Sequence, residues 1–126
     1  MALGISSLLF SLLHNSESGL SIISFFVAGI MYGMAFLRFE NIWAPVGLHF
    51  GWNYFQGTIF GFPINGNVGE SYFVLEITRS NILNGGDAGP EISILGLILR
   101  FFILAFILFF NRNRNKNPDF LNIIMD

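Results

Sequence analysis

Two histidines are all that this chain of 126 residues contains, and both stand among apolar neighbours. His14 closes the run MALGISSLLFSLLH, and His49 lies inside WAPVGLHFGWNYFQGTIFGF. An imidazole near neutral pH can take a proton, give one, or ligate a metal. Asn53 follows His49 by four residues and Gln56 by seven, so on a helix all three share one face. His49 and Asn53 thus present a nitrogen and an amide together, and His14 supplies a second imidazole from a different helix. Two such rings can share a metal ion or a water. The plain alternative is that each polar group is an interhelical hydrogen-bond partner, worth about 0.6 kcal/mol. That both histidines sit in or at apolar helices tips the balance toward a shared site.

Other ionisable residues read differently. Arg100 interrupts the apolar block ISILGLILRFFILAFILFF. A charge at the bilayer centre costs at least roughly 2.5–3.5 kcal/mol, so Arg100 is expected to snorkel or to pair with an acid on a neighbouring helix, a structural role. Glu70, Glu76 and Glu91 fall in a long polar loop and read as poor candidates for a buried general base. Gly29 with Gly33, and Gly47 with Gly51, form small-xxx-small pairs that suit close helix packing.

The elements that must position these groups follow from the blocks. Only 11% of residues are charged against 53% hydrophobic, sixteen are Phe, and mean hydropathy is +0.63. A water-soluble domain of this make-up would expose large apolar patches. The expected fold is therefore all-α: a polytopic transmembrane helix bundle of three full spans plus an N-terminal half-span. The spans fall at about residues 2–14, 19–38, 43–62 and 92–110, with an outer loop at 63–91 and a polar tail at 111–126. Pro45 suits a first helical turn and Trp43 an interfacial belt. SYFVLEITRSNIL, residues 71–83, is expected to form a short surface helix or strand. Residues 2–14 are too short to cross unaided and lack a signal peptide's basic start and cleavage site, so they read as half of a longer helix.

Arg38 and the tail residues Arg112, Arg114 and Lys116 place the C-terminus on the cytoplasmic side by the positive-inside rule. The basic residues form no stripe that could follow phosphates, and a net charge of −2 agrees, so nucleic acid is not an expected partner. The lipid bilayer is. Absence of cysteine removes disulfides, thiolate zinc sites and a cysteine nucleophile.

FSLLH at residues 10–14 and HFGWN at residues 49–53 match F-x-x-x-H and H-x-x-x-N. In these motifs and their order, and in the intervening span, the FGFP after it and the GPE before the last span, the chain resembles the CPBP family of intramembrane metalloproteases, which includes the CAAX prenyl endopeptidases. The resemblance runs over about residues 4–110. It implies that His14, His49 and Asn53 line a membrane cavity holding an activated water, with zinc as a candidate cofactor on His14 and His49. Two imidazoles would leave positions open for a carboxylate and a water, as catalytic zinc requires. The implied substrate is a membrane-associated peptide or a membrane protein, and the implied location a bacterial cell membrane.

The chain departs from the family at one point. The first family motif, E-E-x-x-x-R, carries the glutamate held to activate the water, and no Glu-Glu pair occurs here. The expectation is of a C-terminal part whose upstream helix is absent, inactive as a peptidase alone. A non-catalytic scaffold or bacteriocin-immunity-type membrane protein is the alternative, and a transporter fragment ranks below both.

Overall fold

The computed structural model describes residues 1–14, 18–74 and 81–110. Four α-helices carry the fold: α1 (Ala2–Leu13), α2 (Gly19–Phe39), α3 (Trp43–Asn53) and α4 (Ile94–Phe110). A π-helical segment, Tyr54–Ile59, continues α3, and two 3₁₀ turns, Gly86–Ala88 and Pro90–Ile92, lead into α4. No strand occurs among the described residues, only an isolated bridge between Ile64 and Asn67. The surface segment expected at 71–83 lies partly, and the basic tail wholly, outside the described residues.

Of the three full spans expected, one helix meets the criterion by length and composition: α2, 21 residues with mean hydropathy 2.1. The 17 residues of α4 and 12 of α1 are apolar but shorter. The third block is divided, because its α-helical part stops at Asn53 after 11 residues.

Local chemistry sets the boundaries. Ser18 and Ser21 form a reciprocal capping box at the start of α2: the Ser18 hydroxyl accepts the Ser21 N–H at 3.1 Å, and the Ser21 hydroxyl accepts the Ser18 N–H at 3.2 Å. Glu40 ends α2 in the left-handed region, at φ 51°. The Asn41 side chain then accepts the Trp43 N–H at 2.9 Å, which starts α3.

Helix α2 is the hub, and α1, α3 and α4 each make their principal packing against it. Ala28, Met31, Tyr32 and Ala35 follow helical spacing on its inner face and join Ile107 of α4 in the apolar core. At the α1 crossing, a Cβ on Gly29 would lie 2.7 Å from the Ser7 Cα, so only glycine permits the approach. Gly47 and Gly51 differ from the expectation: nothing lies within 4 Å of a Cβ at either position, and both line an apolar groove instead.

Burial is inverted relative to a water-soluble bundle. Ser7, Ser11, Ser21, Ser24, Gln56 and Arg100 are buried, whereas Leu12, Ile23, Phe50, Phe102, Phe106 and Phe109 are exposed. Water would penalise that arrangement. Lipid does not, and small hydroxyl side chains let helices approach closely while satisfying one another.

Candidate active site

The end of α1 brings the first histidine into the bundle. His14 follows Leu13 at the helix terminus, and its Nδ1 lies 2.7 Å from the Phe10 carbonyl oxygen one turn back. A carbonyl only accepts, so Nδ1 carries the hydrogen and a neutral ring keeps Nε2 as an acceptor. Stacking on Phe25 of α2, with ring centroids 4.4 Å apart, and contact with Phe10 at 4.2 Å fix the ring plane. Ser11 ties the same turn to α2 by donating to the Ile22 carbonyl at 2.8 Å.

His49 enters from α3, about one and two-thirds turns past Trp43, stacked on Tyr32 at 5.1 Å and edge-on to Phe10 at 5.9 Å. The two imidazole centroids are 6.4 Å apart. Helices α1 and α3 meet the site by leaning on α2 rather than by pairing along their lengths. Between the rings lies a cavity of about 20 Å³. That suffices for one water molecule, which needs at least about 10–15 Å³. Asn53 lines it, as do Tyr32, Asn65, Glu91 and Arg100.

Gln56 does not. Its carboxamide turns to the protein, accepting from the Trp52 indole N–H at 2.7 Å and donating to the Pro63 carbonyl at 2.6 Å. The π-helical segment after Asn53 explains this, since its wider turn breaks the face that a continuous α-helix would have carried from His49 to Gln56.

Glu91, expected in open loop, is 4% exposed. The GPE turn folds it in: Gly89 has φ 101°, and a Cβ there would strike the Pro63 carbonyl of the FGFP segment, so the two motifs pack directly together. The Glu91 Oε1 accepts the Asn65 N–H at 2.6 Å. Burial pushes the carboxyl above the usual range, against the Asn65 hydrogen bond and the charge of Arg100. The sequence signal was available in retrospect, because a Gly-Pro turn at the head of an apolar block pins the next residue to the helix start.

Arg100 is 2% exposed and does not snorkel. Its Nη1 donates to the Ser24 hydroxyl and to the Glu91 backbone carbonyl, and Ser24 itself donates to that carbonyl at 2.6 Å. The guanidinium lies 4.6 Å from the centroid of the Trp52 ring. Its partners are thus a hydroxyl, a carbonyl and an indole face.

Two larger spaces adjoin the chamber. An open cavity of about 760 Å³ shares His14, Phe25 and Asn65 with it and includes Ser18, Ser21 and Asp87. On the other side of Trp52 runs an apolar groove of about 470 Å³.

Ring spacing tests what the imidazoles can hold. Two rings on one tetrahedral zinc at about 2.1 Å place their centroids about 5.2 Å apart. Two rings sharing a water through hydrogen bonds of about 2.8 Å place them about 6.4 Å apart. The observed 6.4 Å fits the water. Among the described residues no three His, Asp or Glu side chains are gathered tightly enough for a metal ion. The spacing of the two imidazoles thus matches a shared water more closely than a shared zinc ion.

Residues 1–55 match the family model for Rce1-like proteins, described as type II CAAX prenyl endopeptidase Rce1-like. The matched stretch holds FSLLH and HFGWN, and so His14, His49 and Asn53. It supports the resemblance to CPBP and CAAX proteases. No curated protein and no solved structure matches the chain.

Proposed function

We propose that the chamber is the hydrolytic water site of an intramembrane peptidase of the CPBP and CAAX-protease type, acting on membrane-associated peptides. One observation carries the reading: two imidazoles from different helices flank a one-water cavity at the separation a shared water requires. His14 accepts one O–H of the water through Nε2, and His49 donates an N–H to its oxygen. The Asn53 amide donates to the substrate carbonyl oxygen as negative charge develops there. Aromatic walls from Phe10, Phe25 and Tyr32 exclude bulk water and strengthen each of these contacts.

The polar part of a peptide enters through the wide cavity beside Asp87, and its apolar part rests against the groove beyond Trp52. Exposed aliphatic side chains and the length of α2 support a membrane location. In place of the inactivity expected of the chain alone, this reading requires cleavage of lipid-anchored, internally quenched peptides by the purified chain in detergent, read against His49→Ala. Cleavage lost in that variant is the expected result. Equal rates in the two proteins overturn the reading.

The chamber itself favours a second reading. Some 20 Å³ holds a water but not a peptide carbonyl. A non-catalytic membrane scaffold or immunity-type protein, using the polar groups for packing, would have such a closed cavity. It predicts no cleavage, and loss of stability alone on His14→Ala or His49→Ala.

A further inference from the structure

Among the described residues, Trp52 alone lines both the chamber and the apolar groove of about 470 Å³. Its indole is the partition between the two spaces. Much of the remaining chamber wall is tied down. Phe25, Ala28 and Tyr32 are buried on α2, Phe10 and His14 hold each other, and Arg100 is bonded to Ser24 and to the Glu91 carbonyl. Trp52 is half-buried, and the groove behind it has a volume in the range that takes a drug-sized ligand, ample for an indole. A helical side chain leans over the turn N-terminal to its own Cα. On that side α3 carries Gly47 and Gly51, with nothing within 4 Å of a Cβ at either. The glycine pair thus leaves room for the ring.

We propose that Trp52 admits the substrate: its indole turns into the groove over Gly47 and Gly51, and the scissile carbonyl of the peptide takes the place it leaves beside Asn53 and Arg100. The inference rests on the peptidase reading above, and it lets a chamber of about 20 Å³ receive a peptide carbonyl. With the ring in its present place the chamber holds a water. With the ring in the groove the two spaces join, and the carbonyl reaches the water between His14 and His49.

Two contacts hold the ring where it stands: its N–H donates to the Gln56 Oε1 at 2.7 Å, and the Arg100 guanidinium lies 4.6 Å from its centroid. The hydrogen bond is the pivot. Gln56 is fixed by its own bond to the Pro63 carbonyl and lines the groove, so it keeps the indole N–H paired after the turn. Only the contact with Arg100 is given up. Arg100 retains Ser24 and the Glu91 carbonyl, and its Nε is buried with no hydrogen-bond partner among the described residues. A buried donor without a partner is costly, and an arriving carbonyl oxygen supplies what it lacks.

The test uses the purified full chain in detergent. The chain holds two tryptophans, so Trp43→Phe leaves Trp52 as its single reporter. Adding the lipid-anchored peptide without its fluorophores should shift the Trp52 emission at once, and Gly51→Leu, which fills the groove, should cancel the shift. In the cleavage assay Gly51→Leu should slow the reaction at least about tenfold while keeping the wild-type helical circular dichroism, and adding Trp52→Ala to it should restore the rate, since no ring then needs the space. An emission unmoved by the peptide overturns the inference whether or not the chain cleaves. So does a double variant as slow as Gly51→Leu, which means that leucine blocks the peptide itself; both results leave the peptidase reading to the His49→Ala comparison. A shift cancelled by Gly51→Leu, with no cleavage by any of the proteins, overturns the peptidase reading and leaves the moving partition standing.

Discussion

The imidazole of His14 is held by the backbone of its own helix: Nδ1 donates to the Phe10 carbonyl at 2.7 Å, and Phe10's ring lies 4.2 Å from it. One residue thereby sets both the tautomer and the tilt of the other. A histidine so oriented offers Nε2 as a single, directed acceptor, the arrangement used where a ring must address one atom. Replacing His14 by Ala should abolish peptide cleavage, and His14→Gln, which carries a donor and an acceptor at a different reach, should not restore it. The loss expected for a positioned acid–base group is about 10²–10⁴-fold in rate, measured with the quenched lipopeptide.

At Gly89 the conformation and the neighbour both forbid a side chain. Its φ of 101° is strained for any L-residue, and a Cβ would meet the Pro63 carbonyl. Gly89→Ala should therefore destabilise the protein by about 1–3 kcal/mol or more, read as a lowered thermal midpoint in detergent. Gly47→Ala is the matched control. With nothing within 4 Å of its Cβ, it should change stability by less than about 0.5 kcal/mol.

Arg100 joins α2, α4 and the turn before α4 through Ser24 and the Glu91 carbonyl. Arg100→Met should cost about 1–3 kcal/mol, because the carbonyl loses one of its two donors and keeps only Ser24. Arg100→Lys should not recover that loss, since an ammonium lacks the flat face that lies over Trp52. A double-mutant cycle with Ser24→Ala should show a coupling of about 0.5–3 kcal/mol by chemical unfolding.

The pH dependence of stability carries a signature of Glu91. Burial raises its folded-state pKa above the unfolded value. A raised carboxyl contributes stability that is fully present below the unfolded pKa, about 4.3 for Glu, and is lost as pH rises through the folded pKa. The wild type should thus lose stability relative to Glu91→Gln on going from acid toward neutral pH. Glutamine keeps an oxygen for the Asn65 N–H, so the comparison isolates ionisation. Thermal midpoints of the two proteins across that range make the measurement, and parallel curves would exclude the effect.

Much of the helical character was legible because it rests on composition. The charge-free run after Ser18 and the polar break at Arg38 and Glu40 bracket α2, and Trp43 with Pro45 mark the next start. Spacing also gave the shared face of His49 and Asn53. What could not be read was anything depending on a change of period or on a fold-back. Gln56 left that face because the helix widens at Tyr54, and no residue type announces a π-turn. Glu91 and Arg100 acquire their meaning from contacts with Asn65 and Ser24, 26 and 76 residues away in sequence. Gly47 and Gly51 show the converse, a packing motif whose partner is a groove.

Because α1, α3 and α4 all rest on α2, the geometry of the chamber is in effect written in the rotational setting of one helix. Ser24, Phe25 and Tyr32 on α2 meet Arg100, His14 and His49 respectively. One residue inserted into α2 between Phe25 and Tyr32 would swing the later position by about 100° relative to the earlier ones. Such an insertion would leave the helix as apolar as before and only about 1.5 Å longer, yet no single placement of it could serve all three neighbours. The spacing within residues 24–32 is thus an indexing device: it tolerates changes of lipid-facing side chain and admits no change of count.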